Sequence, residues 1–480
     1  MAHGAAQRRG QRRRAAVVAL GALIVAACGS TSSSTSGPEA APKMALSGIK
    51  HIVVIYQENW SFDSLYGKFP GANGWSQAGT ISQVDSNGAP LTSLPQPYLD
   101  TGSPPAKPPV VDPKIPAGLP VAGYDLSKYV PPTGKTGDLV HRYYQEQVQI
   151  DGGKNDRFVS GSDNPGLVLS YYDGTPMPEG QLAQQNVLAD NFFHSAFGGS
   201  FLNHQWLICA CTPKWDTSQA PIPDAKVAKL DASGKLMSDG YISPDGHVIN
   251  TAYTVNSPHP KSFDAPDQKG FLVPELTDPT IGDRLNDKGV SWAWYSGGWN
   301  NALAGSADAN FQFHHQPFAF YKNYADGTDL RKQHLKDEFD FIGDIRKGTL
   351  PSVAFIKPLG DDNEHPGYAN EAEGQAHVLG LVSAIETNPA YKDNTAIIIT
   401  YDENGGRYDH VAPPKGDVWG PGTRVPAVIV APFAKHGVVD HTQYETVSIL
   451  RLIEKRFDVQ PLSDRDAKAN DLTAAFDLAS

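Results

Sequence analysis

The stretch Ala396-Ile-Ile-Ile-Thr-Tyr-Asp-Glu-Asn-Gly-Gly406 decides the fold. Ile397 to Thr400 is an unbroken run of β-branched residues. Such a run reads as a strand buried on both faces, the pattern of a parallel sheet covered by helices. It stops at two adjacent carboxylates, Asp402 and Glu403, and Gly405-Gly406 then turn the chain. In open α/β sheets ligands sit in the crevice at the carboxyl ends of the strands. Two acids there, with glycines that let backbone come close, point to a metal or phosphate site if other strand ends supply partners.

The first such partner lies near the start. Ile49 to Tyr56 reads as a second buried strand and ends in Gln57-Glu58-Asn59, ahead of a short helix from Trp60 to Tyr66 stopped by Gly67. Apolar spacing predicts further helices over 138–150 (His141 in the first turn), 179–190, 333–347, 371–387 and 442–457. Further strands are predicted over 290–295, 352–357, 395–401 and 425–431, with Pro426 tolerated near the start of the last. Residues 70–137 read as surface loops. Residues 213–280, with a Pro244-Asp245-Gly246 turn, read as a cap or insertion. Strand–helix alternation with apolar strands predicts an α/β fold with a mostly parallel sheet covered on both faces.

Composition sets the class. The chain has 480 residues, 40% of them hydrophobic and 19% charged, which is ordinary for a large globular enzyme. Its formal charge is −12, near −17 once the five charges of Arg8, Arg9, Arg12, Arg13 and Arg14 leave with a leader. So acidic a surface excludes nucleic acid as the expected partner, since phosphate backbones need a positive field. Those arginines precede a 13-residue apolar run, Ala15 to Ala27, too short to span a bilayer. The run closes with Val25-Ala26-Ala27-Cys28, which resembles a bacterial lipobox. Residues 1–27 are therefore expected to be a lipoprotein-type signal peptide, 28–47 a flexible tether, and 48–480 the catalytic domain. The protein is expected to be exported and either held on the cell envelope by lipid on Cys28 or, if the leader is an ordinary signal peptide cleaved before an incidental cysteine, secreted. Cys209 and Cys211, with one residue between them, are expected to be small buried residues rather than a disulfide.

The candidate chemistry starts with the acids. Glu58, Asp402 and Glu403 each follow a predicted strand, and in one parallel sheet those ends share an edge. Any one alone would ordinarily cap the next helix. Together with Asn59 they form an oxygen-rich set that repels itself without a cation, so a hard divalent metal is the natural filler. Ser200, after Gly198-Gly199 and before a helical run, places a hydroxyl at a helix N-terminus, where it is either an N-cap or a nucleophile. No Gly-x-Ser-x-Gly elbow surrounds it, which argues against a hydrolase triad. Of the 15 histidines, His365 sits just past a predicted strand on the same edge. Cys211-Thr-Pro-Lys-Trp215 begins like the sulfatase motif but has Trp215 where that motif has arginine.

Three blocks carry a family resemblance: Ile49 to Asp63, with Gln-Glu-Asn; Ala396 to Pro414, with Asp-Glu-Asn-Gly-Gly; and Gly420 to Val428. Together they resemble the bacterial phosphoesterase family of acid phosphatases and non-specific phospholipases C, over about residues 48–458. The resemblance implies an alkaline-phosphatase-like three-layer α/β/α sandwich with one divalent metal, calcium, magnesium and manganese being equally suitable. It implies Glu58, Asn59, Asp402 and Glu403 as ligands, and Ser200 as both ligand and nucleophile. Asn203 and His204 of the Gly-Gly-Ser-Phe-Leu-Asn-His segment, with His141, His314, His315 and His365, are the implied pocket residues. Serine at position 200, where phospholipase C members look to have threonine, leans toward an acid phosphatase cleaving phosphate monoesters through phosphoserine. A phospholipase C acting on phosphatidylcholine-type lipids is the alternative. A non-catalytic surface binding lipoprotein is the alternative of another class.

Overall fold

The structure, a computed structural model, describes residues 44–99 and 109–479. The predicted signal peptide, Cys28 and the tether up to residue 43 lie outside the described residues. Eight strands make the central sheet: β1 (His51–Gln57), β2 (Val187–Ala189), β3 (Trp292–Ser296), β4 (Leu335–Asp337), β5 (Val353–Lys357), β6 (Thr395–Tyr401), β7 (Ala427–Val430) and β8 (Val438–Asp440). Their order across the sheet is β8-β2-β7-β6-β1-β5-β3-β4. All neighbours are parallel except β7, which runs antiparallel to both β6 and β2.

The fold class is therefore α/β with a mostly parallel sheet. The isoleucines of the opening stretch sit at its centre: Ile397, Ile398 and Ile399 are at most 2% exposed. Side-chain alternation shows that both faces are covered. On β1, Tyr56 points to helix α3 (Ser200–Cys209), its ring 5.0 Å from that of His204. The next residue, Gln57, points the opposite way, toward Glu364 in the loop before α5 (Glu371–Glu386). Register pairs Gln57 with Tyr401 on β6. Tyr401 duly reaches Glu179 of α2 (Pro178–Gln185) on that second face.

Several predicted elements need correction. The helix expected over 138–150 is α1 (Tyr143–Ile150): Arg142 before it is extended (φ −127°, ψ 158°), and the Val140 N–H is taken up by Asp163 Oδ1 at 2.8 Å. His141 thus precedes the helix. The helix expected over 179–190 ends at Gln185, and Val187–Ala189 joins the central sheet between β7 and β8. The helix expected over 333–347 is split. Leu335–Asp337 pairs with β3 as the edge strand, and the Asp337 carboxylate then caps α4 (Glu338–Lys347). The last long helix, α6, starts at Thr446 and runs to Phe457. Residues 213–280 do carry the predicted turn, Ser243 N–H donating to His247 O at 2.8 Å. This region is fixed to α1 through Asp239, which accepts from Arg142 and Gln145.

Cys209 and Cys211 form a disulfide, contrary to the expectation. Ala210 ends α3 in the left-handed region at φ 48°, which doubles the chain back and brings the two Cα atoms to 5.1 Å.

Candidate active site

The carboxyl ends of β1, β5 and β6 and the N-terminus of α3 converge. Asp402 N–H continues the ladder onto Gln57 O at 3.0 Å, so Glu58-Asn59 and Asp402-Glu403 leave the sheet side by side. Glu58, Asn59, Asp402 and Glu403 are all 0% exposed, and Ser200 is 4% exposed. Asn59 is left-handed (φ 67°) and its N–H donates to Asp402 Oδ1 at 3.2 Å. The turn after the acids passes so close that a Cβ on Gly405 (φ 59°) would lie 2.3 Å from Asn59 O. Only glycine fits there. Ser200 is the first residue of α3, and its hydroxyl donates to Glu58 Oε2 at 3.3 Å.

The two oxygens of Glu58 have different surroundings. Oε1 contacts the Lys357 ammonium and lies 2.8 Å from His315 Nε2. Oε2 faces Ser200, with His365 Nε2 3.9 Å away. Burial alone would raise the Glu58 pKa, but His315 and Lys357 outweigh it and hold the carboxyl well below its usual range. Asp402 and Glu403 go the other way. Burial and then the Glu58 charge push Asp402 up to about 7, and burial with the Asp402 charge raises Glu403 well above its usual value. Without a cation Asp402 is therefore only partly ionised near neutral pH.

The Asn59 amide lies between the acids and the outer histidines. With Nδ2 toward the acids it donates to Glu403 Oε1 at 2.9 Å and Glu58 Oε2 at 3.1 Å, and its oxygen accepts from His365 Nε2 at 3.0 Å. Three buried carboxyl groups still converge beside it, and a cation would relieve their mutual repulsion. Asp402 Oδ2 is buried without a hydrogen-bond partner. The donor set fits a hard divalent ion.

Histidines surround this cluster in two layers. His141 and His365 line the outer side. Each has Nδ1 on a backbone carbonyl, Leu139 O and Pro366 O respectively, leaving Nε2 toward the acids. His141 Nε2 is 3.7 Å from Glu403 Oε1. Asp138, His141 and His365 bring ligand-type atoms within 4.8 Å of one another, as do Glu58, His204 and His315. The inner layer is His204, His314 and His315. His204 Nδ1 donates to Ser200 O at 2.7 Å, its ring stacks on His315 at 5.0 Å, and His314 packs behind. Burial lowers the pKa of His204 and His314 strongly and takes His315 to about 4 even against the Glu58 charge, which raises it, so burial favours the neutral form of this layer. Asn203 is turned away from the acids. Its amide bonds Ala196 N–H and the carbonyls of Ala196 and Gly198, which shapes the loop before Ser200.

Sequence reasoning missed three parts. Lys357 ends β5 fully buried, and its only sequence signal is a lysine closing an apolar run. Glu146 of α1 fixes the Gly198-Gly199-Ser200 loop, accepting from Gly198 N–H at 2.5 Å, Thr423 N–H at 2.9 Å and His194 at 2.9 Å. Arg424 is a buried clamp. It donates to Asp409 Oδ1 at 2.8 Å, Asp63 Oδ1 at 3.3 Å and the carbonyls of Asn73 and Asp190. Asp63, Asp409 and Arg424 come one from each of the three blocks that carried the family resemblance.

A family model for the phosphoesterase family matches residues 49–460. The chain belongs to the phosphoesterase family. It is a hydrolase acting on phosphoric ester bonds. It is similar to "Phospholipase C B" of Mycobacterium tuberculosis, 25% identical over 91% of this chain and 79% of that protein. It is also similar to "Non-hemolytic phospholipase C" of Burkholderia pseudomallei, 25% identical over 90% of this chain and 59% of that one. Among solved structures, a protein of the alkaline phosphatase superfamily from Vibrio parahaemolyticus matches 70% of this chain and 75% of its own, at 10% identity and TM-score 0.32. Among the described residues no helix is long and apolar enough to cross a membrane.

Proposed function

We propose that this phosphoesterase works through Ser200. The observation that carries the reading is the Ser200 hydroxyl at the start of α3, 3.3 Å from Glu58 Oε2 and beside the buried carboxyl groups of Glu58, Asp402 and Glu403. Glu58, Asn59, Asp402, Glu403 and Ser200 would hold one divalent cation, which when bound would lower the pKa of the serine hydroxyl and neutralise phosphoryl oxygens. The first-turn N–H groups of α3 favour an anion where the phosphoryl group would sit. Ser200 attacks phosphorus, the ester oxygen leaves, and water later cleaves the phosphoserine. His365 or His141 supplies the leaving oxygen with its proton. Their Nδ1 atoms are committed to carbonyls, so Nε2 is the exchangeable position. The neutral inner layer, His204, His314 and His315, fixes Glu58 and the Ser200 carbonyl. Glu146 and Asn203 shape the loop that presents the serine.

For the substrate, phosphate monoesters are the first reading, on the serine at position 200. The names of the relatives favour a second, cleavage of a phospholipid at its phosphodiester. The location proposed is outside the cytoplasm, with the chain anchored through Cys28. A substrate panel tests this, with an aryl phosphate monoester against phosphatidylcholine vesicles, for wild-type and Ser200→Ala protein with and without chelator. Turnover of either substrate that needs both Ser200 and a divalent ion supports the mechanism, and the preferred substrate chooses between the readings. Full activity of Ser200→Ala removes the mechanism.

A further inference from the structure

Two carboxyl groups that this reaction does not use meet on the other face of the sheet. Glu179 of α2 and Glu364, in the loop after β5, are both 0% exposed. The Tyr401 hydroxyl reaches both, 3.2 Å from Glu179 Oε2 and 3.0 Å from Glu364 Oε2. Gln57 Nε2 donates to Glu364 Oε1 at 3.0 Å and Gln375 Nε2 to Oε2 at 3.4 Å. The backbone is built for this contact. Glu364 is left-handed (φ 70°), and its carbonyl accepts from the Trp60 indole at 3.2 Å. A side chain at Gly374 would lie 2.3 Å from Glu364 Cγ, so glycine admits the acid against α5.

What faces the pair is uncharged or acidic. β1 contributes Gln57 and β6 the Tyr401 hydroxyl. The helix Phe62–Tyr66 contributes the buried Tyr66 hydroxyl, and α5 contributes Gln375 and, further off, Glu371, which Arg407 faces. Among the described residues no lysine, arginine or histidine forms a salt bridge with either acid. Two adjacent carboxylates in a dry site cannot both ionise. Burial and the neighbouring Glu364 raise Glu179 well above the carboxylate range, and burial lifts Glu364 to about 7.

We propose that Glu179 and Glu364 are positioning residues that share one proton and with it tie together the three segments carrying the reactive groups. Gln57 directly precedes Glu58, and Tyr401 directly precedes Asp402. Asn363, next to Glu364, accepts the Glu58 N–H on its carbonyl at 3.0 Å, and His365 follows. Loss of the shared proton sets two bare carboxylates against each other and drives the 363–365 loop from the strand ends. The pair thereby sets an alkaline limit on the enzyme. The pairing stands apart from the reaction proposed above, and only its effect on turnover rests on that reading.

The test uses the full chain and the variants Glu179→Gln and Glu364→Gln. Near neutral pH, wild-type-minus-variant infrared spectra of chelator-treated protein should show the carbonyl band of a protonated, buried carboxylic acid. The folded state holds a proton that the unfolded chain gives up near its ordinary carboxylate pKa, so the wild-type melting temperature falls as pH rises through the neutral range. Each glutamine variant should lose part of that fall, and the alkaline limb of phosphate-ester hydrolysis should move up by about one pH unit. Tyr401→Phe, which keeps both acids and removes their bridge, should steepen the fall and serves if the glutamine variants do not fold. No acid carbonyl band in the difference spectra, or a melting profile with the same pH slope in all variants, overturns the proposal. Infrared and melting readouts involve no turnover, so a failure of the Ser200 mechanism leaves them interpretable.

Discussion

Lys357→Met gives the sharpest test of how the site balances charge. The Lys357 ammonium is fully buried against Glu58 Oε1, lies 3.5 Å from Gln57 O and sits 5.3 Å over the Tyr56 ring. Methionine fills much the same space without the charge. Removing one partner of a buried ion pair costs about 3–5 kcal/mol, because the remaining charge is left in a dry environment. Here His315 stays 2.8 Å from the same oxygen and can take up a proton, so the lower end applies, about 3 kcal/mol. That cost belongs to the metal-free protein. With a divalent ion among the acids, Glu58 has a new counter-charge, and the ion no longer feels the Lys357 repulsion. The variant should be destabilised by about 3 kcal/mol in chelator and recover in saturating calcium, magnesium or manganese, whichever binds. By linkage its affinity for that ion rises by about two decades. Urea unfolding followed by tryptophan fluorescence, with chelator and with each ion, reads both quantities. Equal stability of variant and wild type in chelator, or an equal loss with and without metal, refutes the reasoning.

Three further outcomes follow from other residues. Glu146→Gln keeps the shape of the side chain but loses the charge that Gly198 N–H, Thr423 and His194 share. It should lower kcat/KM about 10- to 100-fold with little change in melting temperature, since the loop presenting Ser200 loosens. Arg424→Met strands Asp63 and Asp409 in the interior and should cost about 3–5 kcal/mol, seen as a sharp fall in folded yield; a normal melt would show that the clamp is dispensable. His377 is raised from 6.5 to about 9, Glu338 outweighing the effect of burial. A raised histidine contributes stability in full below about pH 6.5 and loses it as pH climbs through about 9. Glu338→Gln should therefore lower the melting temperature near pH 6 and make no difference near pH 10, and a pH-independent effect would contradict the pairing.

The sheet was legible where strands are long and apolar. β5, β6 and α5 match their predicted bounds to within a residue, because an apolar run of five to seven residues that ends in polar groups has few other solutions. Val187–Ala189 and Leu335–Asp337 were illegible for the same reason. Three residues are too few to show a period, and each lies in a window whose composition suits a helix, so pairing with a neighbouring strand decides them. The site divides along the same line. Acids that close strands could be placed on one edge from sequence alone, and Ser200 could be placed at a helix start. Lys357 could not, since a lysine at a strand end looks like a solvated terminus and only the folded sheet puts it opposite Glu58. Nor could Asn203, which stands in the same segment as Ser200 yet turns its amide back onto residues 196–198.

The three blocks that carried the resemblance now separate into two physical jobs. Glu58-Asn59 and Asp402-Glu403 form the oxygen cluster. Asp63, Asp409 and Arg424, drawn from the same blocks, lie outside it and join the segment after β1, the loop after β6 and the segment before β7 through one buried guanidinium. The two jobs require each other. Acids packed this closely push apart unless the backbone holds them, and a backbone held this tightly can keep Asn59 left-handed. Lys357 on one side of Glu58 and the proton proposed for Glu179 and Glu364 behind the sheet extend that logic. Buried acid charge is held in place by the Lys357 ammonium at Glu58 and by the Arg424 guanidinium between Asp63 and Asp409.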